Sequence, residues 1–241
     1  MDFGLERRTV LVMGGSRGLG KAVADVLRGE GAEVIATSRN PGQDAVLDTA
    51  VESSRRAFLE NMQGRRLDGM FVNTGGPRTG DFGELSLEDW RQAFEQLLLG
   101  PIHIVRELLP SVQDGGSLLF NASSSVKVPI PHLTLSNVYR AAIYALVKSL
   151  VDELAPRQIR VNLIVPGRIA TERVAHLDQS NAERLRVSEA DVRARAAANI
   201  PLGRYGDPAE FGRMAAFLLS PQASYLNGAS FWVDGGQNRS L

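Results

Sequence analysis

The stretch TVLVMGGSRGLG, from Thr9 to Gly20, decides the fold. Thr9–Met13 is apolar and rich in β-branched residues, which predicts a strand buried on both faces. Glycines crowd the next positions, and helical spacing then runs from Gly18 to Arg28. Glycines let the backbone turn tightly and approach a ligand closely, while the helix N-terminus offers free N–H groups and the positive end of its dipole. Gly14, Ser16, Arg17, Gly18, Leu19 and Gly20 are therefore candidate contacts for the pyrophosphate of a dinucleotide. A glycine cluster alone makes an ordinary tight turn. The strand before it and the helix after it are what favour binding.

Outward from this stretch, apolar runs and helical patterns alternate to the end of the chain. Strands are expected at Glu33–Thr37, Ala45–Leu47, Gly69–Asn73, Ser117–Asn121, Arg160–Val165 and Ala229–Val233. Helices are expected at Arg55–Gln63, Leu87–Leu109, Leu135–Leu154 and Pro208–Leu219, and Val174–Asn199 reads as mostly helical, polar and mobile. Ser86 with Asp89 three residues on marks the start of the first long helix. Near-continuous apolar strands separated by helices predict an α/β fold: one doubly wound domain over 1–241, a seven-stranded parallel sheet with helices on both faces. In such a sheet the ligand lies at the carboxyl ends of the strands.

Bulk properties narrow the classes of function. The 241 residues carry 27 basic and 27 acidic side chains, so no basic surplus points to nucleic acid. There is no cysteine, which excludes disulfide and thiolate chemistry. His103, His132 and His176 lack metal-ligand spacing, so no metal is expected. No apolar run reaches spanning length, and Met1–Arg8 has charges in place of a signal peptide's apolar core, so a cytoplasmic location off the membrane is expected.

Five ordered motifs carry a resemblance. Gly14–Gly20 resembles the T-G-x-x-x-G-x-G loop of the short-chain dehydrogenase/reductase family, with Met13 in place of the threonine. Asn73-Thr74-Gly75-Gly76 resembles its N-N-A-G, and Pro166-Gly167-Arg168-Ile169-Ala170-Thr171 its P-G-x-x-x-T. Ile200–Arg204 and Val233–Gly236 resemble two further family segments. The resemblance implies a Rossmann fold, cofactor contacts from Asn73, Gly75, Pro166, Gly167, Ile169 and Thr171, and an adenine contact from Asp48. It also implies a homotetramer paired through the long helices and the last strand. Within the family it resembles the 3-oxoacyl-carrier-protein reductases, without their tyrosine–lysine pair in register.

Cofactor choice follows from charge. An NAD enzyme of this fold places a carboxylate at the end of the second strand, for the ribose 2′-hydroxyl. Here that strand ends Thr37-Ser38-Arg39, so Ser38 and Arg39, with Arg17 beside them, point to NADP. The segment between Arg39 and Asp48 is short for the family, so the helix after the second strand is expected to be cut down.

At the catalytic positions the resemblance breaks. The family uses an asparagine, a serine, a tyrosine and a lysine, the last two as Y-x-x-x-K. Tyr144 and Lys148 have that spacing, yet Tyr144 stands only 22 residues before Pro166, closer than the family's tyrosine does. Running the later part of the family's helix back without gaps instead puts Ser136 and Arg140 at the tyrosine and lysine positions; aligning Glu88-Asp89-Trp90 with the family's helix start puts Leu97 at the asparagine, and Ser124 best fits the serine, with Ser123 and Ser125 as alternatives. Eight helical residues span about 12 Å, so the two registers cannot serve one site. A serine hydroxyl is a poor acid and an arginine does not give up its proton. Lys127, His132 and Tyr139 are candidate substitutes for the proton donor, His132 having the suitable pKa range.

The segment at about 171–204 is expected to cover the substrate, and its mixed charges read as a solvated helix pair. A carboxylate or phosphate on the substrate is compatible with Arg140 or Arg168. Two functions of different class follow: an NADP-dependent oxidoreductase of a small carbonyl or alcohol with a rebuilt proton-donor site, or a catalytically silent NADP(H)-binding sensor or partner subunit.

Overall fold

The structure, a computed structural model, describes residues 2–239. Seven parallel strands form one sheet in the order β3-β2-β1-β4-β5-β6-β7. They are β1 (Thr9–Val12), β2 (Glu33–Ser38), β3 (Ala45–Val46), β4 (Leu67–Val72), β5 (Val112–Asn121), β6 (Arg160–Pro166) and β7 (Ser230–Val233). Helices α1 (Gly18–Gly29), α2 (Glu52–Asn61), α3 (Leu87–Phe94), α4 (Gly100–Leu108), α5 (Thr134–Leu154), α6 (Glu172–Leu185), α7 (Glu189–Ala198) and α8 (Pro208–Leu219) complete it. The doubly wound architecture expected from the sequence is observed.

Period-two alternation divides the apolar strands between two cores. Leu11 and Met13 of the first strand region join Phe58, Ile104, Phe120, Ile143 and Val147 under α2, α4 and α5. Val10 and Val12 join Val23, Leu27, Phe71, Phe211 and Ala215 under α1 and α8. A Cβ on Gly212 would lie 2.6 Å from the Ala22 carbonyl oxygen, so this glycine sets the close approach of α8 to α1. Arg160, buried at the start of β6, donates to the carbonyls of Leu218 and Ser220 at the end of α8, both at 2.9 Å. The favourable cation position at a helix C-terminus is thereby filled from inside.

Two local expectations are corrected. The helix expected over Leu87–Leu109 is not uniformly α: a π turn at Glu95–Leu99 joins α3 to α4. The loop before α2 presses on it there. The Thr49 hydroxyl donates to Gln96 O at 3.1 Å, and Arg55 bonds both Thr49 O and Glu95. The helix expected at Arg55–Gln63 starts earlier, at Glu52. The helix pair expected in the polar segment is observed, its two helices separated at Arg186, whose φ is 55°, and the second opened by the Ser188–Asp191 capping box. The expected truncation after β2 is observed, with no helix between Arg39 and Asp44. Asp44 closes that turn by accepting from Ala36 N at 2.8 Å and from Arg28 at 2.9 Å. Among the described residues no helix is long and apolar enough to cross a membrane.

Candidate active site

The glycine loop leaves β1 through Gly14, at φ +67°, and enters α1 through Gly18, at φ +55°, conformations that favour glycine. A Cβ on Gly20 would lie 2.0 Å from Gly14 O, so the helix can close on the loop only without one. Gly14 N donates to Thr37 Oγ1 at 3.2 Å and Gly15 N to Thr37 O at 2.8 Å, tying the loop to the end of β2. Asn73 Nδ2 donates to Met13 O at 3.2 Å, and Asn73 Oδ1 accepts from Asn121 at 2.8 Å. The carboxyl ends of β1, β4 and β5 are thus bolted side by side. Asn73 is a link between loops, and a Cβ on Gly75 would lie 3.2 Å from Gln96 Nε2.

At the end of β2, Ser38 is buried and its hydroxyl donates to Asn40 O, within its own turn. Arg39 is exposed and bonds nothing among the described residues. Arg17 and Glu172 approach to 3.7 Å, both exposed, a pair of the kind that contributes little. Ser16 and Leu19 lie at the same surface of the loop, exposed and half-buried. Asp48 Oδ1 accepts from Ala50 N at 3.0 Å.

The segment after β6 closes the far side. Gly167 N donates to Val233 O at 2.9 Å, and a Cβ on Gly167 would meet Asp234 Cβ at 2.6 Å. Pro166 ends β6, and buried Ile169 bridges Gly206. Thr171 caps α6 by accepting from Val174 N at 3.4 Å, and its side chain lies 3.8 Å from where a Gly18 Cβ would stand. Arg168, a candidate partner for a substrate anion, is engaged within the protein. It pairs with buried Asp178, whose other oxygen accepts from Tyr205 at 2.8 Å.

Arg140, only 7% exposed, points from α5 to the carboxyl end of the sheet. It donates to Asn121 O at 2.9 Å, Thr74 O at 3.4 Å and Thr74 Oγ1 at 3.2 Å. No carboxylate pairs with it among the described residues. Burial, and then the charge of Arg173, lower its pKa to about 10, so it remains a cation at neutral pH. Ser136 lies in the first turn of α5 and Ser124 in the short 3-10 turn Ser124–Val126 after β5. Both are half-buried, and neither hydroxyl has a protein partner among the described residues. Leu97 is buried within the π turn.

Tyr144 and Lys148 lie elsewhere. Lys148 donates to Gly228 O at 2.5 Å, ahead of β7, and stands 5.7 Å from the centre of the Tyr144 ring, which packs on the core under α5. Of the substitute donors, Tyr139 is held against α3 by donating to Trp90 O at 3.0 Å, and burial raises its pKa. Lys127 is exposed. His132 holds a left-handed φ of 60° and its Nδ1 stands 2.9 Å from Asp81.

One residue escaped the sequence reading. Arg173, taken there as part of a solvated helix, donates across the cleft to Pro77 O at 3.3 Å. Only the crossing of two loops in space brings them together; the helical charge pattern carries no sign of it.

A glycine loop in which a Cβ on Gly14, Gly15 or Gly20 would clash, a helix N-terminus behind it and a buried cation without an acid together fit a dinucleotide. Fold and site define a doubly wound α/β protein of the dinucleotide-binding kind. A family model described as enoyl-(acyl carrier protein) reductase matches residues 14–238. The chain belongs to the short-chain dehydrogenase/reductase family, as the five motifs implied. The NADPH-dependent reductase BacG of Bacillus subtilis (strain 168) is 26% identical over 259 residues, covering 98% of this chain and 100% of the relative. The structure of L-sorbose reductase from Gluconobacter frateurii, complexed with NADPH and L-sorbose, matches with TM-score 0.92 and 25% identity over the whole of both chains. A short-chain oxidoreductase from Pseudomonas aeruginosa PAO1, described as containing an atypical catalytic center, matches with TM-score 0.83 and 29% identity over 97% of this chain and 98% of that one.

Proposed function

We propose that this protein is an NADP(H)-dependent oxidoreductase of a small carbonyl or alcohol substrate, working without the family's tyrosine–lysine pair in its usual place. One observation carries the reading: Arg140 reaches the carboxyl ends of β4 and β5, where a ligand lies in such a sheet, while Lys148 bonds ahead of β7.

Bound NADPH supplies the hydride. Gly14, Gly18 and Gly20 make room for the diphosphate at the N-terminus of α1. Arg39 favours the 2′-phosphate, since the nearest acid, Asp44, is turned onto Arg28 and Ala36 N. Pro166, Gly167, Ile169 and Thr171 line the nicotinamide end, with Asp48 at the adenine end. Arg140 holds the ribose and adds positive charge where the substrate oxygen gains negative charge. Ser124 and Ser136 offer free hydroxyls to that oxygen, Ser136 occupying the tyrosine's position. The segment 171–204, with α6 and α7, covers the substrate. Exposed Leu87, Phe94, Leu99 and Val138 on the long helices support a homotetramer, to be checked by sedimentation.

The test is NADPH oxidation over a panel of ketones, aldehydes and 3-oxoacyl thioesters. Turnover retained in Tyr144→Phe and lost in Arg140→Ala supports the reading; turnover abolished by Tyr144→Phe with intact cofactor binding refutes the register. Silence across the panel with retained NADPH binding favours the sensor in place of the enzyme.

A further inference from the structure

The cleft between the glycine loop, the loop after β4 and α6 holds a cation that the cofactor contacts described above do not use. Arg173 stands in the first turn of α6, two residues after Thr171. Its guanidinium lies against Gly76 so closely that a Cβ there would stand 2.3 Å from Nη2 and 2.4 Å from Cζ. A side chain at 76 would force the guanidinium to move from this position. Nη2 donates to Pro77 O at 3.3 Å. Meanwhile Thr171 abuts Gly18 of the glycine loop. The start of α6 therefore spans both loops that border the cleft.

The arginines around it are answered by acids: Arg17 by Glu172, Arg168 by Asp178 and Arg204 by Glu210. Arg173 has no acidic partner among the described residues, and neither does Arg140, which faces the same Thr74–Pro77 loop. Two guanidiniums on one loop with no carboxylate between them leave local positive charge that an anion would neutralise. Guanidinium is also suited by its planar fork to phosphate oxygens.

We propose that Arg173 is an ionic clasp for the diphosphate of the bound dinucleotide, reaching over the cleft from α6 and exchanging its bond to Pro77 O for phosphate oxygens when the cofactor enters. The inference rests on the dinucleotide reading above. A diphosphate is favoured over a substrate carboxylate because Thr171 fixes this helix end beside Gly18, at the entrance to α1. Without the cofactor the same side chain is held by Pro77 O, so binding includes the exchange of that bond.

The experiment is titration of the full chain, followed by tryptophan fluorescence, with two ligands. NADPH carries the diphosphate; adenosine 2′-monophosphate keeps the adenine end and the 2′-phosphate and has no phosphate on the 5′ carbon. Arg173→Ala is expected to weaken NADPH about tenfold or more, on the scale of one charge-assisted hydrogen bond, and to leave adenosine 2′-monophosphate unchanged. Arg173→Lys, which keeps the charge and loses the fork, is expected to fall between. Added salt should narrow the gap between wild type and Arg173→Ala. NADPH affinity unchanged in Arg173→Ala overturns the clasp, and so does an equal loss for both ligands. Absence of NADPH binding in the wild-type protein overturns the dinucleotide reading itself, and the clasp with it.

Discussion

Replacing Arg140 by methionine separates a functional cation from a structural one. The side chain is buried, and the fall of its pKa from 12.5 to about 10 corresponds to a cost on the order of 3 kcal/mol against the charged form. Its bonds to Asn121 O, Thr74 O and Thr74 Oγ1 oppose that cost. At about 1.5 kcal/mol each, the low end for bonds to a charged group, they contribute about 4.5 kcal/mol. The two effects nearly cancel, so an apolar side chain of similar length should change the stability of the free protein by only about 1 kcal/mol. Cofactor binding has no such cancellation. A charged bond to a ribose hydroxyl, at about 1.5–3 kcal/mol, corresponds to roughly a 10- to 150-fold loss of NADPH affinity. Urea unfolding of the free protein and fluorescence titration with NADPH measure the two quantities. A variant that loses about 4 kcal/mol of stability, or that binds NADPH like the wild type, would refute the reasoning.

Gly20→Ala should abolish NADPH binding and lower the unfolding midpoint, because the new Cβ would lie 2.0 Å from Gly14 O; normal binding would show that loop and helix part more easily than the packing allows. Arg39→Ala should weaken NADPH while leaving NADH binding unchanged, and isothermal titration with both cofactors decides it: equal losses would remove the 2′-phosphate assignment. Arg204 and the Asp207 amide hold the Glu210 carboxyl at about 2, down from 4.5. A depressed carboxyl stabilises the fold above its unfolded pKa and loses that contribution as pH falls, here between about 4.5 and 2. Thermal midpoints should therefore drop more steeply over that window in wild type than in Glu210→Gln, and parallel curves would count against the capping role at α8.

Much of this protein is local in origin and was legible in the order of its residues. The strand–glycine–helix of Thr9 to Arg28, the apolar strands and the Ser86–Asp89 cap each depend on neighbours in sequence, so composition and spacing specify them. The motif order gave the family for the same reason. Other features arise only when distant segments meet. The π turn in the helix through Leu97 forms where Thr49 and Arg55 press on it from another crossover. Arg168 and Arg140 look alike in sequence, yet one meets Asp178 and the other meets only carbonyls and a hydroxyl. Asn73 reads as a ligand contact and is found bridging three loops. Arg173 reads as one charge among many on a solvated helix, and its place across the cleft depends on Gly76 nearly a hundred residues away. Spacing fixes which face of a helix a side chain occupies; whether its charge finds an acid, a carbonyl or an open cleft is decided by the packing of the whole sheet.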